Sequence, residues 1–396
     1  MPLTRRQFLT GAAALGSATA MGACSSVGDT GDAIRKGSPT TSAPTTTSTS
    51  PGASGTLVLV TLYGGNDALN TVVPVGDPAY ISLRGSLALD PADTHDIGDG
   101  FALHPSLPRL AAQWAKNRAA IVHGVGFAGL DRSHFHCMDV WQAGSEDDHT
   151  TGWLGRWLDL TGSDPLDAVV LGRSLPLLAR GARRSASVVS PGPFVLPGDR
   201  ALRDLVAMMV GGGGRPPLLG AVATSTADLL AVVDRVAPVV AKTTAGDDLA
   251  SQLDTVATMI EAGLPTRVYN VALGGFDTHA DQADTHAGLL AELDTALGDF
   301  LDRVDDVTVA AFSEFGRRVA PNASGGTDHG SGGTVLLAGN IRPGHHGEPP
   351  PLDQLDEGDL ATTTDFRAVL GGLLGGVLGT DPDDVFDGGV KPLTLV

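Results

Sequence analysis

Residues 307–330 read VTVAAFSEFGRRVAPNASGGTDHG, and the change of character inside this stretch decides the fold class. Val307 to Phe312 is an apolar, largely β-branched run, the pattern of a strand buried on both faces. It breaks into a polar, Gly-rich segment carrying Glu314, Arg317, Asp328 and His329. In open α/β sheets, chemistry sits beyond the C-terminal ends of the strands. Asp328 and His329 are adjacent, with Gly326 and Gly330 close on either side, so a carboxylate and an imidazole can converge on one hard or borderline cation.

The same grammar occurs twice more. Thr56 to Tyr63, TLVLVTLY, ends in Gly64, Gly65, Asn66 and Asp67. The glycines permit a tight turn that presents Asp67 above the sheet edge, although Gly-Gly-Asn-Asp makes a turn in any context. Thr266 to Leu273, TRVYNVAL, ends in Gly274, Gly275, Phe276, Asp277, Thr278 and His279, which adds a second pair of ligand candidates, Asp277 and His279. A helix follows, with Leu289, Leu293, Leu297 and Leu301 along one face and His286 in its first turn, and then the strand at Val307. That order is a parallel, right-handed strand, helix, strand unit.

Ala119 to Val125 is a further buried strand, and His123 within it reads as a core histidine. The loop beyond it leads to a helix starting near Ser133, flanked by Asp131, Arg132, His134, His136 and Asp139. A serine at a helix start is first of all an N-cap. The same position suits a nucleophile, because the positive end of the helix stabilises an alkoxide. Residues 106–117 and 152–160 read as helices, 168–200 as short β-like pieces, and 201–262 as a helical insertion in which the glycines at 211–214 form a loop. A short strand at 334–340, a loop holding His345 and His346, and a closing helix entered through Asp365 and Arg367 complete the chain. The expected fold is α/β, a mostly parallel central sheet flanked by helices, with a helical insertion.

The first residues point outward. TRRQFLT at residues 4–10 carries the Arg5 and Arg6 pair ahead of an apolar, small-residue stretch, the form of a twin-arginine (Tat) export signal over residues 1–23. Met21, Gly22, Ala23 and Cys24 form a lipobox-like end, so Cys24 is the expected lipidation site. Residues 24–54, nearly all Ser, Thr, Pro, Gly and Ala, form a spacer with too little apolar surface to fold. Residues 55–396 then form the α/β domain. Cys24 and Cys137 are the two cysteines, so an intrachain disulfide framework is excluded once Cys24 is lipidated. The formal net charge of -19 excludes nucleic acid as a favoured partner. Localisation is therefore expected to be extracytoplasmic or at the cell surface, with membrane contact through the lipid alone.

Five ordered blocks, GGNDALNTVVP, RSHFHCMDVW, GGFDTHADQ, SEFGRRVAPNASGGTDHG and HHGEPPPLDQLDEGDLATTTDFRAVLGGLLG, together resemble the exported proteins of domain-of-unknown-function family 1501 (DUF1501). The resemblance spans residues 55–380. That family is similar to the alkaline phosphatase and sulfatase superfamily, which implies an alkaline phosphatase-like fold and two divalent metals over the C-terminal edge of the sheet. Carried over by position, Asp67, Ser133, Asp328 and His329 would form one site, and Asp277, His279 and either His345 or His346 the other. The Asp277 to His279 spacing is shorter than the superfamily's usual gap, and GHHGE departs from its usual last histidine. The sulfatase Cys-x-Pro-x-Arg pattern is absent, since Met138 and Asp139 follow Cys137.

Two functions fit. One is an exported metal-dependent hydrolase of phosphate or sulfate esters. Ser133 would attack, Arg317 or Arg132 would steady the anion, and the Asp and His residues would hold zinc or manganese, with calcium or magnesium as further candidates. Glu314 then reads either as a structural ion-pair partner of Arg317 or as a ligand or a base standing behind the ligands. The other is a non-enzymatic surface lipoprotein, a binding or assembly module working with an exported partner protein.

Overall fold

The computed structural model describes residues 55–193, 204, 206, 208, 217–389 and 391–396. The export signal, Cys24, the spacer and the 211–214 loop lie outside the described residues. In chain order the elements are β1 (Thr56–Tyr63), α1 (Ala68–Thr71), β2 (Val72–Val73), α2 (Ala79–Arg84), β3 (His95–Gly98), β4 (Phe101–Leu103) and α3 (Pro108–Ala115). There follow β5 (Ala119–Gly126), α4 (His134–Ala143), α5 (Trp153–Thr161), β6 (Ala168–Leu171), β7 (Ser187–Val189), α6 (Pro217–Val240) and α7 (Leu249–Glu261). The last are β8 (Val268–Gly274), α8 (Gln282–Leu301), β9 (Val307–Phe312), β10 (Gly333–Gly339), β11 (Gly344–His346), β12 (Thr364–Asp365) and α9 (Phe366–Leu373).

The central sheet has nine strands in the order β11-β5-β10-β9-β1-β8-β6-β7, with β12 also on β5. β9, β1, β8, β6 and β7 run parallel, β10 is antiparallel to both its neighbours, and β5 therefore points the same way as β9. The sheet is thus mostly parallel, as expected, and helices cover both its faces. Strand side chains alternate between two cores. Val58, Val60 and Leu62 of β1 and Val307, Val309 and Ala311 of β9 pack with residues of α6, α7 and α8. Leu57 and Leu59 of β1 and Ala310 and Phe312 of β9 pack with α4, α5 and α9, where Trp141 stacks on Phe312 at 4.9 Å between ring centroids.

Two features differ from the sequence expectation. The GHH segment is not a loop but β11, which pairs with residues 120–122 near the start of β5. Residues 72–103 supply a separate three-stranded sheet, β2-β4-β3, whose strands of two to four residues are too short to show a period.

Three histidines are buried: His104, His123 and His286. His286 lies in the second turn of α8, where its Nε2 donates to Asn66 Oδ1 at 2.9 Å. Burial, then the charge of His104 and Arg84, holds His286 down to about 3; burial, then His345 and His346, holds His123 down to about 3; and burial with His95 holds His104 down to about 4. The unfolded chain takes up protons at these groups from about pH 6.5 downward, whereas the folded chain does not until pH 4 to 3. Stability therefore falls as pH falls through this window, by up to about 1.4 kcal/mol per pH unit for each histidine. Chemical denaturation at pH 7.5, 6 and 5 should show a midpoint dropping steeply below pH 6. A flat profile would contradict the neutral, buried state of these rings.

Candidate metal centre

The C-terminal ends of β1, β8, β9 and β5 share one edge of the sheet. β10 runs the other way, so the segment preceding it, with Asp328 and His329, reaches the same edge. The turn after β1 lies against the turn after β8: Phe276 N donates to Tyr63 O at 3.1 Å. Gly64 has φ +120°, and a Cβ there would stand 2.3 Å from Asp277 N, so only glycine lets these turns meet.

At this edge one ligand atom each of His134, Asp277 and His329 lie within 4.8 Å of one another. Asp277 Oδ1 is 3.3 Å from His134 Nε2 and 3.1 Å from His329 Nε2. Ligands about 2.0–2.1 Å from a tetrahedral zinc stand about 3.3 Å apart, so the donor spacing suits such an ion. His279 Nε2 adds a fourth donor, 3.0 Å from Asp277 Oδ1 and 2.9 Å from His329 Nε2. Its Nδ1 is 3.3 Å from Asp328 Oδ1, which also accepts from Asn322 Nδ2 at 3.2 Å.

The surrounding contacts fix the tautomers. His134 Nδ1 donates to Glu314 Oε1 at 2.7 Å, and Glu314 also accepts from Gly64 N at 2.9 Å and from Ser313 Oγ at 3.0 Å. That leaves His134 Nε2 as a lone pair, and this atom is buried with no hydrogen-bond partner among the described residues. His329 Nδ1 donates to the carbonyl of Arg132 at 2.8 Å, so its Nε2 is also a lone pair. Histidines held from behind by a carboxylate and a carbonyl, with free nitrogens converging on a third oxygen ligand, form a metal-binding arrangement. The donor set fits zinc or manganese. Asp277 is ready as an anion. Burial opposes its ionisation, but the hydrogen bond and the charge of Arg317 bring its carboxyl down to about 2.

Asp277, His279, Asp328 and His329 thus come together. Asp67 does not join them: its carboxylate is buried, paired with Arg84, held by Gln282 Nε2, and capping α1 through Asn70 N. His346 bonds the carbonyl of Arg342 at 2.8 Å, and His345 bonds His123, both on β11 beside the start of β5 rather than at its end. Ser133 caps α4, its Oγ 3.5 Å from His136 N, and among the described residues no hydrogen bond joins its hydroxyl to the cluster. Arg317 is fully buried and spent on the carbonyls of Gly64, Gly65, Phe276 and Thr327 and on Asp277 at 2.5 Å. It therefore positions Asp277, and its full burial keeps it from a substrate anion. Glu314 orients His134 and is not hydrogen-bonded to Arg317. His134 is the candidate ligand that the sequence did not single out. Its signal was the placement of a histidine directly after a helix cap beyond a strand end.

In overall shape the chain is similar to the crystal structure of Ps i-CgsB, with TM-score 0.38 and 9% identity over 85% of this chain and 74% of that one. It is similar to the same degree to the lipoteichoic acid synthase LtaP from Listeria monocytogenes, with TM-score 0.38 and 8% identity over 86% of this chain and 76% of that one. No curated protein matches the chain. Residues 227–380, a stretch that includes Asp277, His279, Asp328 and His329, match the family model described as protein of unknown function (DUF1501).

Proposed function

We propose that the protein is an exported, metal-dependent hydrolase of phosphate or sulfate esters. The observation that carries this reading is the orphaned, buried Nε2 of His134 facing Asp277 and His329. With His134, Asp277 and His329 as ligands and the half-exposed His279 as a displaceable fourth donor, the centre keeps a position that an ester oxygen can take, the pattern of a catalytic rather than a structural site. A divalent ion bound there supplies Lewis-acid polarisation of an ester oxygen and a lowered pKa for the attacking hydroxyl. The chain's own groups do the rest. Glu314 and the Arg132 carbonyl hold the two imidazoles in their ligating tautomers, and Arg317 fixes Asp277. The Arg132 guanidinium, about one-third exposed and braced by Asp359 at 2.6 Å, is the group placed to steady an anionic ester. Export through the Arg5 and Arg6 signal and anchoring through Cys24 complete the proposal.

The test is hydrolysis of aryl phosphate and aryl sulfate esters by the folded protein, with and without added zinc or manganese. Metal-stimulated turnover that disappears in His134→Ala is expected. Turnover indifferent to metal and to His134→Ala would reject the reading and leave a binding or assembly module. Ser133→Ala separates the attacking groups: lost turnover assigns attack to its hydroxyl, and retained turnover assigns it to solvent.

A further inference from the structure

A second concave feature lies away from the metal centre, and none of His134, Asp277 and His329 lines it. It is a cavity of about 710 Å³ between the small sheet, the β5 and β10 backbones and the Pro349–Leu352 segment. That volume falls within the range of small-molecule sites. Its apolar wall includes Leu69, Val72 and Leu352, with the Phe101 ring beside them.

Its polar groups are one-sided. Asp77, Asp99 and Asp353 line it, no arginine or lysine does, and among the described residues none of the three carboxylates is in an ion pair. The remaining polar group is His123, only 5% exposed, whose ring faces Phe101 at 4.7 Å between centroids. Its protonation can be traced through its neighbour. The carbonyl of Ile97 accepts from His345 Nε2 at 3.3 Å, so that nitrogen carries the hydrogen and His345 Nδ1 is the acceptor. His123 Nε2 therefore donates to His345 Nδ1 at 2.9 Å, and His123 Nδ1 is left as a lone pair without a protein partner among the described residues. Burial keeps this ring neutral, which preserves the lone pair at physiological pH.

We propose that this cavity binds a small organic ammonium ion whose N–H donates to His123 Nδ1, whose charge is matched by Asp77, Asp99 and Asp353, and whose hydrocarbon part packs on the apolar wall. An acceptor nitrogen on a ring that lines the cavity, an aromatic ring beside it and three carboxylates outside any ion pair, of which Asp77 also accepts from Ala79 N at 2.8 Å, all select the same chemistry.

Benzylammonium, titrated into the full chain and followed by calorimetry, is the probe. Saturable binding is expected, about tenfold tighter than that of the neutral analogue benzyl alcohol, with no binding of benzoate. The Asp99→Asn/Asp353→Asn double variant, changed at exposed positions that leave the core intact, should weaken benzylammonium by about tenfold. Benzyltrimethylammonium, which keeps the charge and lacks the N–H, should bind more weakly than benzylammonium. Equal affinity for benzylammonium and benzyl alcohol, or an unchanged affinity in the double variant, would overturn the proposal.

Discussion

Replacing Arg84 by alanine is expected to destabilise the fold by about 3–5 kcal/mol, the scale for breaking a buried ion pair. The Arg84 and Asp67 side chains are both fully buried. Arg84 also donates to Asn70 Oδ1 at 3.0 Å and to the carbonyls of Arg318 and Val319 at 2.9 and 2.8 Å, so it ties α1 to the loop after β9. Burial pulls its own pKa down to about 9, still high enough to keep it charged at neutral pH. Without it, the Asp67 carboxylate retains only the Gln282 amide and Asn70 N, and two carbonyls lose their donor. The urea midpoint should fall sharply in Arg84→Ala. The double change Arg84→Met/Asp67→Leu should recover much of the loss, because no unpaired charge then remains. A midpoint in Arg84→Ala within the equivalent of about 1 kcal/mol of the parent would show that the pair is not buried as described.

The second large effect is expected at Glu314. Glu314→Gln preserves the shape of the side chain and removes the charge behind His134 Nδ1, which lowers the basicity of the Nε2 that faces Asp277. Loss of a carboxylate behind a ligating histidine weakens metal binding about 10–100-fold. A chelator competition should show that shift for zinc in Glu314→Gln and no saturable binding in His134→Ala. Circular dichroism should be unchanged in both. An unaltered zinc affinity in Glu314→Gln would separate Glu314 from the ion and leave it as a support for Gly64 N and Ser313 Oγ.

The parts of this site that the sequence revealed are those encoded locally. A β-branched run ending in Gly-Gly and a carboxylate announces a buried strand and the turn above it, and both β1 and β8 obey that rule. It brought Asp277 and His279 into the site because the turn after β8 faces the cluster. The same rule left Asp67 ambiguous, because what occupies its carboxylate is Arg84, a residue 17 positions on whose burial depends on how α2 packs beneath the loop after β9. His134 was obscured by its neighbour: Ser133 drew attention as a cap or nucleophile, while the imidazole one residue later took the ligand position. His345 and His346 are next to each other in a Gly-flanked segment, yet pairing of β11 with the start of β5 sends them away from the edge where the other ligands meet. Strand direction is a long-range property, and neither that pairing nor the antiparallel course of β10 leaves a mark on the local pattern.

The central claim, that His134, Asp277 and His329 hold a divalent ion, is tested most directly by elemental analysis of the protein folded in its producing cell and purified without chelators. About one zinc or manganese per chain is expected in the parent protein, falling to background in His134→Ala and Asp277→Ala. A parent protein carrying no more divalent metal than His134→Ala, and gaining no thermal stability when zinc or manganese is added, would contradict the account.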